Sequence, residues 1–177
     1  RLGLNPLNSF FHGLYIFMAA WSTGGFAPNY QNILFYHDFV YESIGLVFFI
    51  IGSFNFGLHF ALIQGKYSEF KKNIEIVSFF VSSFILSLLA VVYLNNTGMY
   101  TNGISSFRRV VYNLLSAHTT TGFGSIYAQQ FASDWGGLGI TVMVIAMLIG
   151  GSACSTAGGI KGLRVGIIFK GIYSDIQ

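Results

Sequence analysis

SFFHGLYIFMAAWSTGGFAPNY (Ser9–Tyr30) and SFRRVVYNLLSAHTTTGFGSIY (Ser106–Tyr127) are the two stretches whose reading decides the fold. Superimposed at a spacing of 97 residues, they agree at eight of 22 positions: Ser9/Ser106, Phe10/Phe107, Tyr15/Tyr112, Ala20/Ala117, Thr23/Thr120, Gly25/Gly122, Phe26/Phe123 and Tyr30/Tyr127. Agreement is densest at the bend, Thr-Gly-Gly-Phe (Thr23–Phe26) against Thr-Thr-Gly-Phe (Thr120–Phe123). Before each bend lies an apolar run, Ser9–Trp21 and Ser106–His118, of thirteen residues. As helices these reach about 20 Å at ~1.5 Å per residue, too short for a hydrocarbon core of about 30 Å. An acidic residue follows each bend glycine, Asp38 thirteen residues after Gly25 and Asp134 twelve after Gly122. Each is expected to open a full-length helix, so the chain carries two copies of one unit: half-helix, bend, full helix.

Composition places these units in a bilayer. The 177 residues are 53% hydrophobic and only 8% charged, where a soluble domain carries about 25% charged residues. No Asp, Glu, Lys or Arg falls in Leu2–His37, Ser43–Gly65, Ile76–Phe107, Val110–Ser133 or Trp135–Ile160. A disordered chain is excluded, and a soluble enzyme or nucleic-acid binder is disfavoured; a net charge of +3 offers no basic stripe for nucleic acid. The single cysteine, Cys154, rules out an internal disulfide or a cysteine metal cluster. The sequence opens at Arg1 directly on apolar residues without a cleavable leader, and is expected to be a piece of a longer polypeptide.

Full crossings are predicted at Asp38–Gln64, at Ile74–Leu94 and from Trp135 to Ile149, with apolar character resuming at Leu163–Tyr173. Lys66, Lys71 and Lys72 lie between the first two, whereas Asn95–Gly103 is polar and uncharged. Short Lys/Arg-rich loops face the cytoplasm. The Lys66–Lys72 loop and the C-terminal end, with Lys161, Arg164 and Lys170, are therefore expected inside. The Asn95–Gly103 loop and both bends are expected outside, which makes Ser106–His118 a re-entrant half-helix. Non-helical backbone at membrane depth is tolerated only where protein or a water-filled path surrounds it.

A half-helix followed by a Thr/Gly bend suits a cation filter. A dehydrated potassium ion must be surrounded by oxygens that replace its water, and backbone carbonyls from a ring of bends can supply them. Glycine permits the backbone conformations that aim those carbonyls, and the negative end of each half-helix dipole points at the ion. The candidate potassium ligands are the carbonyls of Thr23, Gly24, Gly25, Thr120, Thr121 and Gly122, with Phe26 and Phe123 placed to brace the bends. The competing reading of each bend is an ordinary glycine helix cap. Asp38 and Asp134 read as helix N-caps, or as acids that draw cations toward an outer mouth.

The third crossing runs into GGSACSTAGGIKG, Gly150–Gly162, in which eleven of thirteen residues are Gly, Ala, Ser, Thr or Cys. Glycine costs about 1 kcal/mol per helical position relative to alanine, so the helix should unwind there, beneath the bends. The expectation is a gate formed by Gly150, Gly151, Ser152, Ala153, Cys154, Ser155, Thr156, Ala157, Gly158 and Gly159. The alternative is close packing of small residues between helices; a phosphate loop is disfavoured because its spacing is missing and Lys161 stands alone. Asn55 and His59, four apart, are expected to share a helix face and bond neighbouring helices rather than line a pore, and His118 to bond behind the second bend. With no carboxylate pair, Ser/His/Asp order or metal-ligand cluster, neither an enzyme nor an organic cofactor is expected.

STGGF at Ser22–Phe26, GSFNFGLHF at Gly52–Phe60, TTTGFG at Thr119–Gly124 and GGSACSTAGGIKGLRV at Gly150–Val165 together cover nearly the whole chain. In order and spacing they resemble the Trk/Ktr/HKT superfamily of potassium transporters, most closely its bacterial Trk branch. The resemblance implies an all-α membrane fold of repeated helix, pore helix, filter turn and helix units around a potassium-channel-like pore. Four such units make one polypeptide; Arg1–Gln64 resembles the latter part of the second, and Ile74–Tyr173 the third with its broken transmembrane helix. The corresponding organisation is a unit in residues 1–64, a cytoplasmic linker in 65–75 and a later unit in 76–177.

By the same resemblance Gly25 and Gly122 are filter glycines, Gly150–Gly162 is the gating loop, and potassium is the transported ion. It further implies a bacterial cytoplasmic (inner) membrane location, homodimers, and a cytosolic ring of nucleotide-binding regulatory subunits. Units one and four are missing, with half the filter and the pore arginine of the last unit, so two bends alone do not encircle an ion. A sodium-permeable or non-selective transporter of the same fold, or a non-conducting membrane scaffold or sensor, are the alternatives.

Overall fold

A computed structural model describes residue 3 and residues 5–100 and 102–176. Arg1 and Gln177, the outer limits of the predicted units, lie outside the described residues, as do the side chains of Lys71, Lys170 and Tyr173. The described residues form helices and connecting turns without a strand, apart from one isolated bridge between Ile149 and Ile160.

The first short helix, α1 (Pro6–Trp21), starts at Pro6, whose missing N–H and fixed φ suit a first helical position. Asn5 caps it by accepting from the Leu7 N–H. After the bend at Thr23 and a 3-10 turn over Asn32–Tyr36, Asp38 caps α2 (Phe39–Gly52) by accepting from the Tyr41 N–H at 3.0 Å. That confirms the cap reading of Asp38. The predicted crossing Asp38–Gln64 is not one straight helix, however. It breaks at Ser53–Asn55, and α3 (Phe56–Ile63) leaves at 99° to α2. Ser53 Oγ donates back to the Ile50 carbonyl at 2.7 Å, which closes α2, and the Asn55 side chain accepts from the Gly57 N–H, also at 2.7 Å, which opens α3. Asn55 is thus a cap, while His59 Nε2 lies 3.1 Å from the Ile51 carbonyl and its ring stacks on Trp21.

Residues 65–75 hold a short helix, α4 (Tyr67–Lys72), and the first residues of α5 (Ile74–Asn96). At 23 residues, α5 is the one unbroken helix long and apolar enough to cross a bilayer among the described residues. Its outward face carries Val77, Phe80, Val81, Phe84, Ile85, Leu88, Leu89 and Val92, all half exposed or more. A continuous apolar stripe of this kind suits lipid or a further apolar helix rather than water.

The second short helix, α6 (Gly103–His118), matches α1 in length at 16 residues. After its bend come α7 (Ala128–Asp134), α8 (Gly136–Leu148), an unwound loop, and α9 (Gly162–Ile176). Asp134 does not open α8. It ends α7, where its carboxylate accepts from Ser133 Oγ, and the N-terminus of α8 has no side-chain cap. Seven residues after the bend had room to coil into a helix of their own, which shifted the acid out of the capping position.

Two cores hold the assembly. Leu86, Ala90 and Leu94 of α5, Val110 and Leu114 of α6, Trp135, and Val142 and Ala146 of α8 form the first. The second joins Ile16 and Ala20 of α1 and Phe49 of α2 to Tyr112 of α6 and Phe123 of the second bend, so the units share a core. An ion pair spans the same seam: Arg108 Nε donates to Glu42 Oε2 at 2.9 Å, with a second guanidinium nitrogen at 2.8 Å. Glu42 is 5% exposed, and the guanidinium also lies 4.9 Å above the Phe39 ring. Truncating the arginine strands a buried carboxylate, whereas truncating the acid leaves the part-exposed arginine able to turn to solvent. Arg108→Ala is therefore expected to destabilise the full-length protein by about 1–3 kcal/mol, and Glu42→Ala by less. Melting temperatures in detergent test the order; equal or reversed losses would remove this account.

Candidate functional site

The two bends have the same backbone. In the first, the N–H groups of Thr23 and Gly24 donate to the carbonyls of Ala20 and Ala19 at 3.0 and 2.8 Å, and Gly25 N–H reaches Ala19 again at 3.4 Å. In the second, Thr120 and Thr121 donate to Ala117 and Ser116 at 2.9 and 2.8 Å, and Gly122 reaches Ser116 at 3.4 Å. Thr23 and Thr120 take left-handed conformations, with φ of 49° and 57°. That region is a genuine outlier for a β-branched residue. Both hydroxyls fold back onto the preceding carbonyl: Thr23 Oγ1 donates to Ser22 at 2.8 Å and Thr120 Oγ1 to Thr119 at 2.7 Å. Locally the helix-cap reading is thus correct, since each bend is a left-handed C-cap. It does not compete with the other reading, because the cap leaves the next carbonyls unused.

The bends lie side by side. A Cβ built on Gly25 would overlap the Thr121 carbonyl, so the second bend rests on the glycine of the first. Among the described residues no hydrogen bond is donated to the carbonyls of Thr23, Gly24, Thr120, Thr121 or Gly122. The Gly25 carbonyl differs: Asn32 Nδ2 donates to it at 3.2 Å. Asn32 was not singled out in the sequence, and its left-handed φ of 59° follows no local signal beyond being an asparagine. Five backbone carbonyls on two adjoining bends, at the negative ends of α1 and α6, thus take no protein hydrogen bond among the described residues, and a cation beside them would meet both their oxygens and the helix dipoles.

The surroundings are less symmetric than the bends. Phe123 is 2% exposed and packs on Phe49, as a brace should, but Phe26 is 80% exposed because no described helix packs on its side. Asn113 braces the second bend from within: Nδ2 donates to Ser125 Oγ at 2.9 Å and Oδ1 accepts from the Ser125 N–H at 3.2 Å. The position 97 residues earlier is Ile16, which supplies neither bond. His118 is fully buried, with Nε2 2.7 Å from Ser82 Oγ on α5 and its ring edge-on to Phe79, as anticipated for a group behind the bend.

The small-residue segment unwinds where expected, and its ends are drawn together at a neck. Gly150 N–H donates to the Ile160 carbonyl at 3.0 Å, Ile160 N–H to Leu148 at 2.7 Å, and Gly162 N–H to Gly151 at 3.0 Å. The small residues also pack closely: a Cβ on Gly150 would overlap the Gly158 carbonyl, and one on Gly151 would crowd Ser53 and Ala157. The segment is thus both unwound and closely packed, close packing being the alternative posed to a gate.

The loop rests on the break between α2 and α3, where Ser152 N–H donates to the Ser53 carbonyl at 3.0 Å and Phe56 N–H to Cys154 at 3.3 Å. It also reaches both bends. Thr156 Oγ1 lies 3.1 Å from Thr23 Oγ1, 2.9 Å from the Gly52 carbonyl and 3.2 Å from that of Trp21. Gly158 N–H donates to Thr120 Oγ1 at 2.6 Å. The equivalent threonines of the two copies are thus held by loop residues two apart. Lys161 Nζ donates within the loop to the Ala157 carbonyl.

Paired short helices, matched bends and an apolar helix that unwinds at Gly150 make an all-α membrane protein of repeated helix, bend and helix units. No protein-family model matches the chain, but individual relatives do. It is 26% identical over 148 residues to the Trk system potassium uptake protein TrkH of Escherichia coli K12, covering 83% of this chain and 30% of that protein. With TrkH of Vibrio parahaemolyticus it shares 27% over 168 residues, 92% of this chain and 33% of that one. With the cation transporter MJ1485 of Methanocaldococcus jannaschii it shares 28% over 170 residues, 96% of this chain and 32% of that one. The crystal structure of the V. parahaemolyticus potassium transporter TrkH superimposes with a TM-score of 0.79 at 25% identity, over 89% of this chain and 34% of that one. In sequence and in fold the chain is similar to the Trk-type potassium transporters. It spans about a third of the length of these relatives, which are named as transporters and not as enzymes.

Proposed function

We propose that the chain forms part of the pore of a potassium-uptake protein, with the carbonyls of Thr23, Gly24, Thr120, Thr121 and Gly122 facing the ion and the loop Gly150–Gly159 obstructing the path beneath them. The observation that carries this reading is the contact of one loop with both bends, through Thr156 to Thr23 and through Gly158 to Thr120. A plug that only filled space between helices has no need to meet equivalent atoms of two filter units. Gly25, also among the expected ligands, contributes by close approach, since its carbonyl is engaged by Asn32.

Residues 1–64 and 76–177 act as two units of a larger ring, joined by residues 65–75 on the cytoplasmic side, with the bends toward the outside. Further units of the full-length protein complete the ion's coordination. Pairing of two such proteins in a bacterial inner membrane, and a cytosolic nucleotide-binding ring below them, follow from the family resemblance.

The reading is tested at Gly122, whose φ of 85° suits glycine and whose carbonyl is free. Gly122→Ser in the full-length protein is expected to lower the ratio of potassium to sodium uptake at least severalfold in cells that require added potassium. An unchanged ratio at normal protein levels would favour a scaffold over a conductor.

A further inference from the structure

Glu75 has no part in the ion path as described, yet it is the acid most closely tied to the loop. It sits in the first turn of α5 and is 5% exposed. No basic side chain forms an ion pair with it among the described residues. A carboxylate buried without a cation needs strong donors. Glu75 receives one from 78 residues away: Ala153 N–H, in the first limb of the loop, donates to Oε1 at 2.7 Å. The N-terminus of α5, capped by Asn73 through the Glu75 N–H at 2.9 Å, lends the charge further stability. Three side chains outside the loop hydrogen-bond to it, those of Thr23, Thr120 and Glu75, and only Glu75 is charged. The threonines hold the limb beyond Ser155, whereas Glu75 holds the limb before it.

We propose that Glu75 is a positioning residue that latches the loop in its obstructing conformation through the Ala153 N–H. The proposal rests on the reading of the loop as a gate. A hydrogen bond to an ionised acceptor is about twice as strong as a neutral one, so Glu75→Gln should weaken the latch and Glu75→Ala remove it. In the full-length protein in detergent, amide hydrogen exchange at Ala153 is expected to quicken severalfold in Glu75→Gln and tenfold or more in Glu75→Ala. Exchange in the α5 segment Leu86–Leu94, buried in the core away from the loop, should stay as in the wild type.

Unchanged exchange at Ala153 would overturn the latch, and so would an equal rise across α5, which is the mark of a general structural role. Should Glu75→Ala not fold, Glu75→Gln alone decides. Rubidium uptake then separates the two layers of the argument. Faster Ala153 exchange with raised uptake supports both latch and gate; faster exchange with unaltered uptake keeps the latch and removes the gate.

Discussion

Gly25→Ala is expected to cut potassium uptake by the full-length protein to below about a tenth of the wild-type rate while leaving the protein in the membrane. Two costs coincide at this position. Its φ of 66° penalises any residue with a Cβ, by about 1 kcal/mol or more. The added methyl also falls on the Thr121 carbonyl, a main-chain atom that cannot swing away as a side-chain end could. The bends must then part, and an opening of the order of 1 Å is ruinous for carbonyls that have to replace an ion's water closely. Gly137→Ala is the control, because that helical glycine has a negative φ and open space around it; it should be near neutral. Rubidium uptake at matched protein levels measures both, and wild-type uptake by Gly25→Ala would remove the contact between bends as a functional feature.

Gly150→Ala should act in the opposite direction and raise uptake severalfold under conditions that keep the wild type quiet. Gly150 stands at the neck of the loop, where a Cβ would overlap the Gly158 carbonyl and crowd Gly159, whose own φ is 73°. Spreading the neck draws Gly158 from Thr120 and Thr156 from Thr23, so the loop, the proposed obstruction, leaves both bends together. The measurement is tracer uptake with the folded fraction followed by gel filtration. Lower uptake from a correctly folded variant would count against a gate and in favour of plain packing.

Much of this arrangement was legible in the residues. The repeat at a spacing of 97, the two over-short helices and the dense run of small residues are each local signals, and each lies where it was expected. The 99° bend after Gly52 was not seen, because apolar character continues unbroken through Phe54 and Phe56 and a hydropathy profile is blind to direction. Asn55 held the clue, a capping residue inside an apolar run. Asp134 misled through analogy with Asp38; the one-residue difference in their distance from the bend glycine already hinted that the copies diverge there. Asn32, Asn113 and Glu75 matter through partners that only the fold supplies, the last across 78 residues, and no periodicity encodes such a contact. Phe26 reads as the twin of Phe123, but its burial depends on a neighbour that none of the described helices provides.

The rungs joining Gly150 to Ile160 and Ile160 to Leu148 keep the two stumps of the interrupted crossing in register, so nothing in α8 or α9 needs to slide for the segment between them to swing. On the gate reading, a segment of ten or so residues held by this many hydrogen bonds opens on the microsecond-to-second scale of lids and local unfolding, not on the nanosecond scale of free loops. If the loop is the proposed gate, conduction should be broken by pauses of microseconds or longer rather than by nanosecond flicker.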